Sequence, residues 1–169
     1  IVNLEDIVVT ATKTPKRKTN SPIIINIINS QSIRNVQACN LSESLSFQTG
    51  LRVETDCQTC NYTQLRINGM SGGFSQILIN GRPTFSPLMG LYALEQFPSN
   101  MIEKIEIMKG GGSTLYGSSA IGGTVNIITK IPKENSSQIE FNTHSIDRQS
   151  NDYSVVGNSS IVSESKKTG

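Results

Sequence analysis

The 169-residue sequence contains no tryptophan, one histidine, three cysteines and only 5% aromatic residues. A lone His144, in the C-terminal tail, excludes a Ser/His/acid set, and no spaced carboxylates sit in a glycine-lined cleft, so the residues offer no catalytic constellation. The chain reads as a non-enzyme with neither cofactor nor metal. No run approaches the roughly 18 apolar residues of a membrane helix, and the opening Ile-Val-Asn-Leu-Glu lacks the charged and apolar regions of a signal peptide. If the protein is exported, its signal has been removed. A net charge of +2 is too small to draw nucleic acid, and the one basic cluster, Lys13, Lys16, Arg17 and Lys18 beside Pro15, reads as a solvated linker. With 36% hydrophobic residues, the core of this single-domain-sized chain is modest and much of its surface polar.

What is present concentrates between Glu103 and Lys130, where two β-patterned runs flank a loop with Gly110, Gly111, Gly112, Gly117, Gly122 and Gly123. Ile105 and Ile107 alternate with Lys104 and Glu106, and Val125 and Ile127 with Thr124 and Asn126, the period-two signature of half-buried strands. The loop from Gly112 to Ser119 nearly spells a phosphate-binding Walker A pattern, but Ser118 stands where the phosphate lysine belongs. Nucleotide binding is therefore set aside.

Upstream, Glu5 to Thr12 is a β-prone run that reads equally as an edge strand or a partner-binding segment. Ile23 to Ile28, bounded by Pro22 and Asn29-Ser30, is apolar enough for a central strand. Ser30 or Ser32 is placed to cap a short helix through Val36, and Leu41 to Phe47 suggests a second that ends before Gly50. Cys57-Gln-Thr-Cys60 invites a zinc or redox reading. Zinc needs about four ligands, and the chain adds only Cys39 and the distant His144. A redox pair belongs at a helix N-terminus, whereas Asn61 to Ile67 continues as a strand. Leu65 to Met70 and Ile77 to Pro83 form a further strand pair around Ser71-Gly72-Gly73, and Leu91 to Gln96 offers one helical turn. Gln138–Phe141 and Asp152–Val156 alternate in β fashion near the end.

Glu103 to Lys130 resembles the plug-domain signature of TonB-dependent outer-membrane receptors: a strand, a loop of the form Gly-x-x-Ser-x-x-Tyr-Gly, paired glycines and an exit strand. Gly110, Ser113, Tyr116, Gly117, Gly122, Gly123 and Asn126 fall on those places, with Gly111 where the family usually has proline, a change that loosens the turn. Gly50-Leu51-Arg52-Val53 fits a second family turn. Gly69 and Gly81 fit a third motif, in which Asn68 and Asn80 replace a common arginine and aspartate, with Arg66 and Arg82 nearby as substitute cations.

The resemblance covers about residues 5–131 and implies an α/β (α+β) fold, a small mixed β-sheet with short helices that occludes a β-barrel. It divides the chain into a TonB box and linker (1–20), a plug (21–131) and the first barrel strands (132–169). It places a TonB box at Asp6, Ile7, Val8, Val9, Thr10 and Ala11, an extended segment captured by the periplasmic domain of TonB through strand addition. Ligand-facing apices fall at Cys57, Gln58, Thr59 and Cys60 and at Phe85, Met89, Tyr92 and Tyr116. In an exported protein of this kind Cys57 and Cys60 read as a small disulfide closing a loop, with Cys39 the odd thiol. The implied location is the outer membrane of a Gram-negative bacterium, N-terminus periplasmic. The implied function is energised uptake of an iron complex (siderophore or haem), with cobalamin the alternative cargo. Partners are TonB, the protein's own barrel, the nutrient complex and, where one assists, a surface lipoprotein. A reading of another class is a stand-alone binding or signalling module, distinguished by whether a barrel-length run of strands follows Gly169.

Overall fold

Branched apolar residues at every second position favour pleated, packed strands, and in this chain they build a sheet whose two faces are covered by different parts of the sequence. A computed structural model describes residues 7–57, 59, 62–84, 94–147 and 150–162. In order, they form β1 (Ile7–Val8), β2 (Lys16–Arg17), β3 (Ile25–Asn29), α1 (Ser30–Asn35), α2 (Leu41–Ser46), β4 (Leu51–Cys57) and β5 (Tyr62–Ile67). Then come β6 (Ser75–Ile79), β7 (Arg82–Pro83), β8 (Ile102–Lys109), α3 (Ser113–Tyr116), β9 (Gly123–Thr129), β10 (Ser136–Asp147) and β11 (Ser150–Ser160). The chain divides into two units, Ile1–Thr129 and Lys130–Gly169.

In the first unit a five-stranded sheet runs in the order β3-β8-β9-β6-β7. It is mixed: β6 and β9 are parallel, and the other neighbours antiparallel. One face carries Ile28, Ile105, Ile107, Val125, Ile127 and Ile77, and packs on Ile33 of α1, Leu41 and Leu45 of α2, and Leu51, Leu65 and Ile67 of the β4–β5 hairpin. Each such isoleucine or leucine contributes about 1.5–3 kcal/mol when fully buried. The helices are short and held by caps. The Asn29 side chain accepts from the Ser32 N–H at 2.8 Å, and that of Asn40 from the Glu43 N–H at 2.9 Å. The first cap is therefore Asn29, the last residue of β3, and neither Ser30 nor Ser32.

Several expectations change. The apolar run at 23–28 predicts a central strand, yet among the described residues β3 is at the sheet edge, bonded only to β8, and Ile24 is exposed. Its apolarity has another cause: Ile25 is buried against Val8 and Ala11 of the N-terminal segment. Cys57, expected in a loop, ends β4 and pairs with Tyr62, because Glu54 and Thr55 before it stay in register with Gln64 and Thr63. β5 and β6 do not form a pair; they lie in separate sheets. Gly111 takes φ 68°, which proline, fixed near −65°, cannot adopt, so the turn follows a different path from one built on proline.

Asn68 and Asn80 take φ of 53° and 50°, values asparagine tolerates better than most residues. Asn80 also closes the end of β9, donating to Thr129 Oγ1 at 2.8 Å and accepting from the Thr129 N–H at 3.0 Å. Turn geometry thus accounts for the neutral amides. Arg66 is engaged within its own hairpin, 2.5 Å from Glu54.

The second unit contains an antiparallel hairpin of β10 and β11, longer than the two alternating runs in the sequence suggest. Ile139, Phe141, Tyr153 and Val155 lie on one face of it, all exposed. Among the described residues no helix is long and apolar enough to cross a membrane, which leaves crossing by strands untouched.

Candidate functional site

The alternation in β8 and β9 predicts strands with one wet face, but Glu106, Thr124 and Asn126 on the polar side are completely buried. The N-terminal segment covers Glu106 and Asn126, while the Thr124 hydroxyl lies against Gly112 of the glycine-rich loop. β1 pairs antiparallel with β2, Ile7 opposite Arg17 and Val8 opposite Lys16, so the basic cluster expected as linker folds back on the segment. Val8 is 1% exposed, and Thr10 is wholly buried.

Glu106 is the centre of the contact. Its Oε2 accepts from the Val9 N–H at 2.9 Å, the Thr10 N–H at 3.0 Å and the Thr10 hydroxyl at 2.6 Å. Its Oε1 is 2.9 Å from the ammonium of Lys104, two residues away on the same strand face. Lys104 also donates to the Ile7 carbonyl. A buried carboxylate is tolerated only when its charge and lone pairs are satisfied, and here the segment supplies much of that satisfaction. Burial works against ionisation of Glu106. Hydrogen bonds from the Thr10 hydroxyl, the Val9 N–H, Lys104 and the Thr10 N–H outweigh it and hold the carboxyl below its ordinary value.

Asn126 sits directly opposite Glu106 in the β8–β9 ladder. Its Nδ2 donates to Thr10 Oγ1 at 3.1 Å, while its Oδ1 accepts from the Gly81 N–H at 2.9 Å. The Tyr116 hydroxyl donates to the Thr10 carbonyl at 2.8 Å, and Lys13 lies 5.2 Å from the centre of the Tyr116 ring. Burial, and then the negative charge of Glu106, push the Tyr116 phenol above its ordinary value.

The structure therefore brings together residues that the sequence reading assigned to separate roles. Tyr116 and Asn126, read as signature positions, and Ile7 to Ala11, read as a partner-binding segment, meet in one cluster. Tyr116, also expected among ligand-facing residues, has its hydroxyl on that segment. The other signature glycines shape turns: Gly69 follows β5, Gly81 separates β6 from β7, the Gly110 N–H donates to the Gly122 carbonyl at 3.0 Å, and Gly117 and Gly123 bound the α3–β9 connection. Of the loop residues read as apices, Cys57 ends β4 and Thr59 lies in an exposed turn. Asp6, Gln58, Cys60, Phe85, Met89 and Tyr92 lie outside the described residues, as does the pairing of Cys57 with Cys60. Glu106 and Lys104 were missed. Their one signal is two opposite charges spaced two apart on the face of a strand.

A small mixed sheet with a tucked N-terminal segment and an exit strand into a β-hairpin defines a plug-like class of fold. The family model of the TonB-dependent receptor plug domain matches residues 17–124, and the chain belongs to that family. It is 32% identical over 126 residues to the vitamin B12 transporter BtuB of Vibrio cholerae serotype O1, covering 75% of this chain and 21% of that protein. It is 31% identical over 167 residues to the iron-regulated outer membrane virulence protein of the same organism, covering 90% of this chain and 25% of that protein. Among solved structures, the siderophore receptor PirA of Pseudomonas aeruginosa is 30% identical, with a TM-score of 0.53 over 70% of this chain and 21% of that one. The ferripyoverdine receptor of the same species, 20% identical, shares the fold with a TM-score of 0.67 over 80% of this chain and 18% of its own. The chain thus spans about a quarter or less of the proteins it matches.

Proposed function

We propose that this chain is the plug of a TonB-dependent outer-membrane transporter that gates uptake of an iron complex, siderophore or haem, and that it has no enzymatic role. The observation that carries this reading is the N-terminal segment Ile7 to Ala11, folded onto a family-type plug sheet by Glu106, Tyr116 and Asn126. In this reading Asp6 to Ala11 form the TonB box, tucked onto the plug at Val8, Thr10 and Ala11 and presented to the periplasm for capture by strand addition only when released. Residues 21–131 fill the lumen, and the β10–β11 hairpin begins the barrel. The apolar face of Ile139, Phe141, Tyr153 and Val155 suits a strand pair with lipid on one side. The loops at 57–60 and 85–92 contribute ligand contacts, and Cys57 and Cys60 form a disulfide.

Iron is favoured because the relative named for iron regulation aligns over 90% of this chain. Cobalamin is the second reading, favoured by the 32% identity to a vitamin B12 transporter. The test is uptake of labelled ferric siderophores, haem and cobalamin by cells carrying the complete receptor gene, with and without TonB. Iron-complex uptake that requires TonB is expected. Cobalamin uptake instead would move the assignment to the second reading, and uptake independent of TonB would overturn both.

A further inference from the structure

We infer that the buried Glu106 carboxylate holds Val9 and Thr10 in a bent form that cannot be captured as a strand, and so competes with TonB for a backbone N–H that strand addition requires. The inference rests on the reading of Asp6 to Ala11 as the TonB-binding segment. The sequence predicts an extended segment, but the strand ends at Val8, and the Thr12 N–H closes a turn on the Val9 carbonyl at 3.4 Å. In an extended strand successive N–H groups point to opposite sides. Here the N–H groups of Val9 and Thr10 converge on a single oxygen, Glu106 Oε2, at 2.9 and 3.0 Å. Straightening the segment must turn at least one of them away from it.

The bent form is held at further points on the same residue. The Thr10 hydroxyl donates to Glu106 and accepts from Asn126, which fixes its orientation from both sides. Its carbonyl is held by Tyr116. Drawing Thr10 out would break the hydrogen bonds that Val9 and Thr10 donate to Glu106, leaving Lys104 as its remaining partner among the described contacts, and bonds to a charged acceptor are the stronger kind. Tyr116 and Asn126 hold a carbonyl and a hydroxyl. Glu106 holds the adjacent N–H groups of Val9 and Thr10, and a strand added on either edge needs one of the two, which makes Glu106 the positioning residue for availability of the segment.

The test uses the complete receptor that carries this chain, with Glu106→Gln and, as a second variant that keeps the charge but withdraws it by one methylene, Glu106→Asp. Hydrogen exchange at the Val9 and Thr10 amides should accelerate about tenfold or more, since hydrogen bonds to charged groups are worth that much, while the Ile105 and Ile107 amides stay protected. Without transported ligand, the purified periplasmic domain of TonB should bind either variant about tenfold more tightly than wild type. Faster exchange with unchanged TonB affinity would overturn the competition, and unchanged exchange at Val9 and Thr10 would overturn the anchor. Absence of TonB binding by wild type and both variants, with the amides responding as expected, would overturn the TonB reading and the competition with it.

Discussion

The phenol of Tyr116 and the carbonyl of Thr10, 106 residues apart in sequence, are joined by a 2.8 Å hydrogen bond that ties the glycine-rich loop to the N-terminal segment. A neutral bond of this kind contributes about 1 kcal/mol net. Tyr116→Phe keeps the ring under Lys13 and removes only the hydroxyl, so it should lower unfolding stability by about that amount. A much larger loss in denaturant titration would mean that the ring packing depends on the hydroxyl.

Glu106 makes a pH-dependent contribution whose sign is fixed by its lowered value. A folded-state carboxyl below its ordinary value stabilises the fold fully above the unfolded value, and that stability is lost as pH falls through the folded one. The groups facing it are Lys104 and Tyr116, whose phenol is pushed above its ordinary value and stays neutral in this range. Wild-type receptor should therefore lose stability more steeply than Glu106→Gln between the ordinary glutamate value of 4.5 and the lower folded value. Parallel acid titration curves for the two proteins would contradict this.

Val8 is buried against Ala11 and Ile25 and opposes Lys16 in the β1–β2 pair. Val8→Pro fixes φ near −65° and removes a backbone donor, the worst change for a segment that must pair as a strand. Energised uptake by cells should be abolished while ligand affinity at the surface stays nearly unchanged. Val8→Thr keeps the β preference and should retain uptake. Normal uptake by a well-expressed Val8→Pro receptor would return the segment to an ordinary edge strand.

Gly123 opens β9 where two backbones touch. A Cβ there would lie 2.6 Å from the Met108 carbonyl oxygen and 3.0 Å from Ile67, at φ 154°. Neither neighbour is free to yield, because Met108 is in the sheet and Ile67 is fully buried. Gly123→Ala should cost about 1–3 kcal/mol or more through overpacking and backbone strain, read as a lower denaturant midpoint. An unchanged midpoint would show that β8 and β9 can separate locally at little cost.

The proposed Cys57–Cys60 bond predicts that alkylation of exported, denatured protein without reductant labels Cys39 alone, as read by mass spectrometry. Labelling of all three cysteines would remove the disulfide.

By itself the sequence determined the local parts of this plug. Period-two alternation at Ile105 and Ile107 and at Val125 and Ile127 located both strands and the face they turn to the core, because side-chain direction in a strand depends only on position. The motif around Gly110, Tyr116, Gly122 and Asn126 carried the family. Strand order was not legible: Ile23 to Ile28 reads as central because apolarity reports burial, not what supplies it, and here β3 is an edge strand covered by Val8 and Ala11. The polar face of β8 and β9 was read as wet for a related reason. Alternation separates two faces of a sheet but does not say what lies over the second, and only the return of residues 7–11 across some 96 positions of sequence gives buried Glu106 its donors. That contact, between a carboxylate and two backbone amides, has no sequence signature at the amide end, since every residue but proline carries the same N–H.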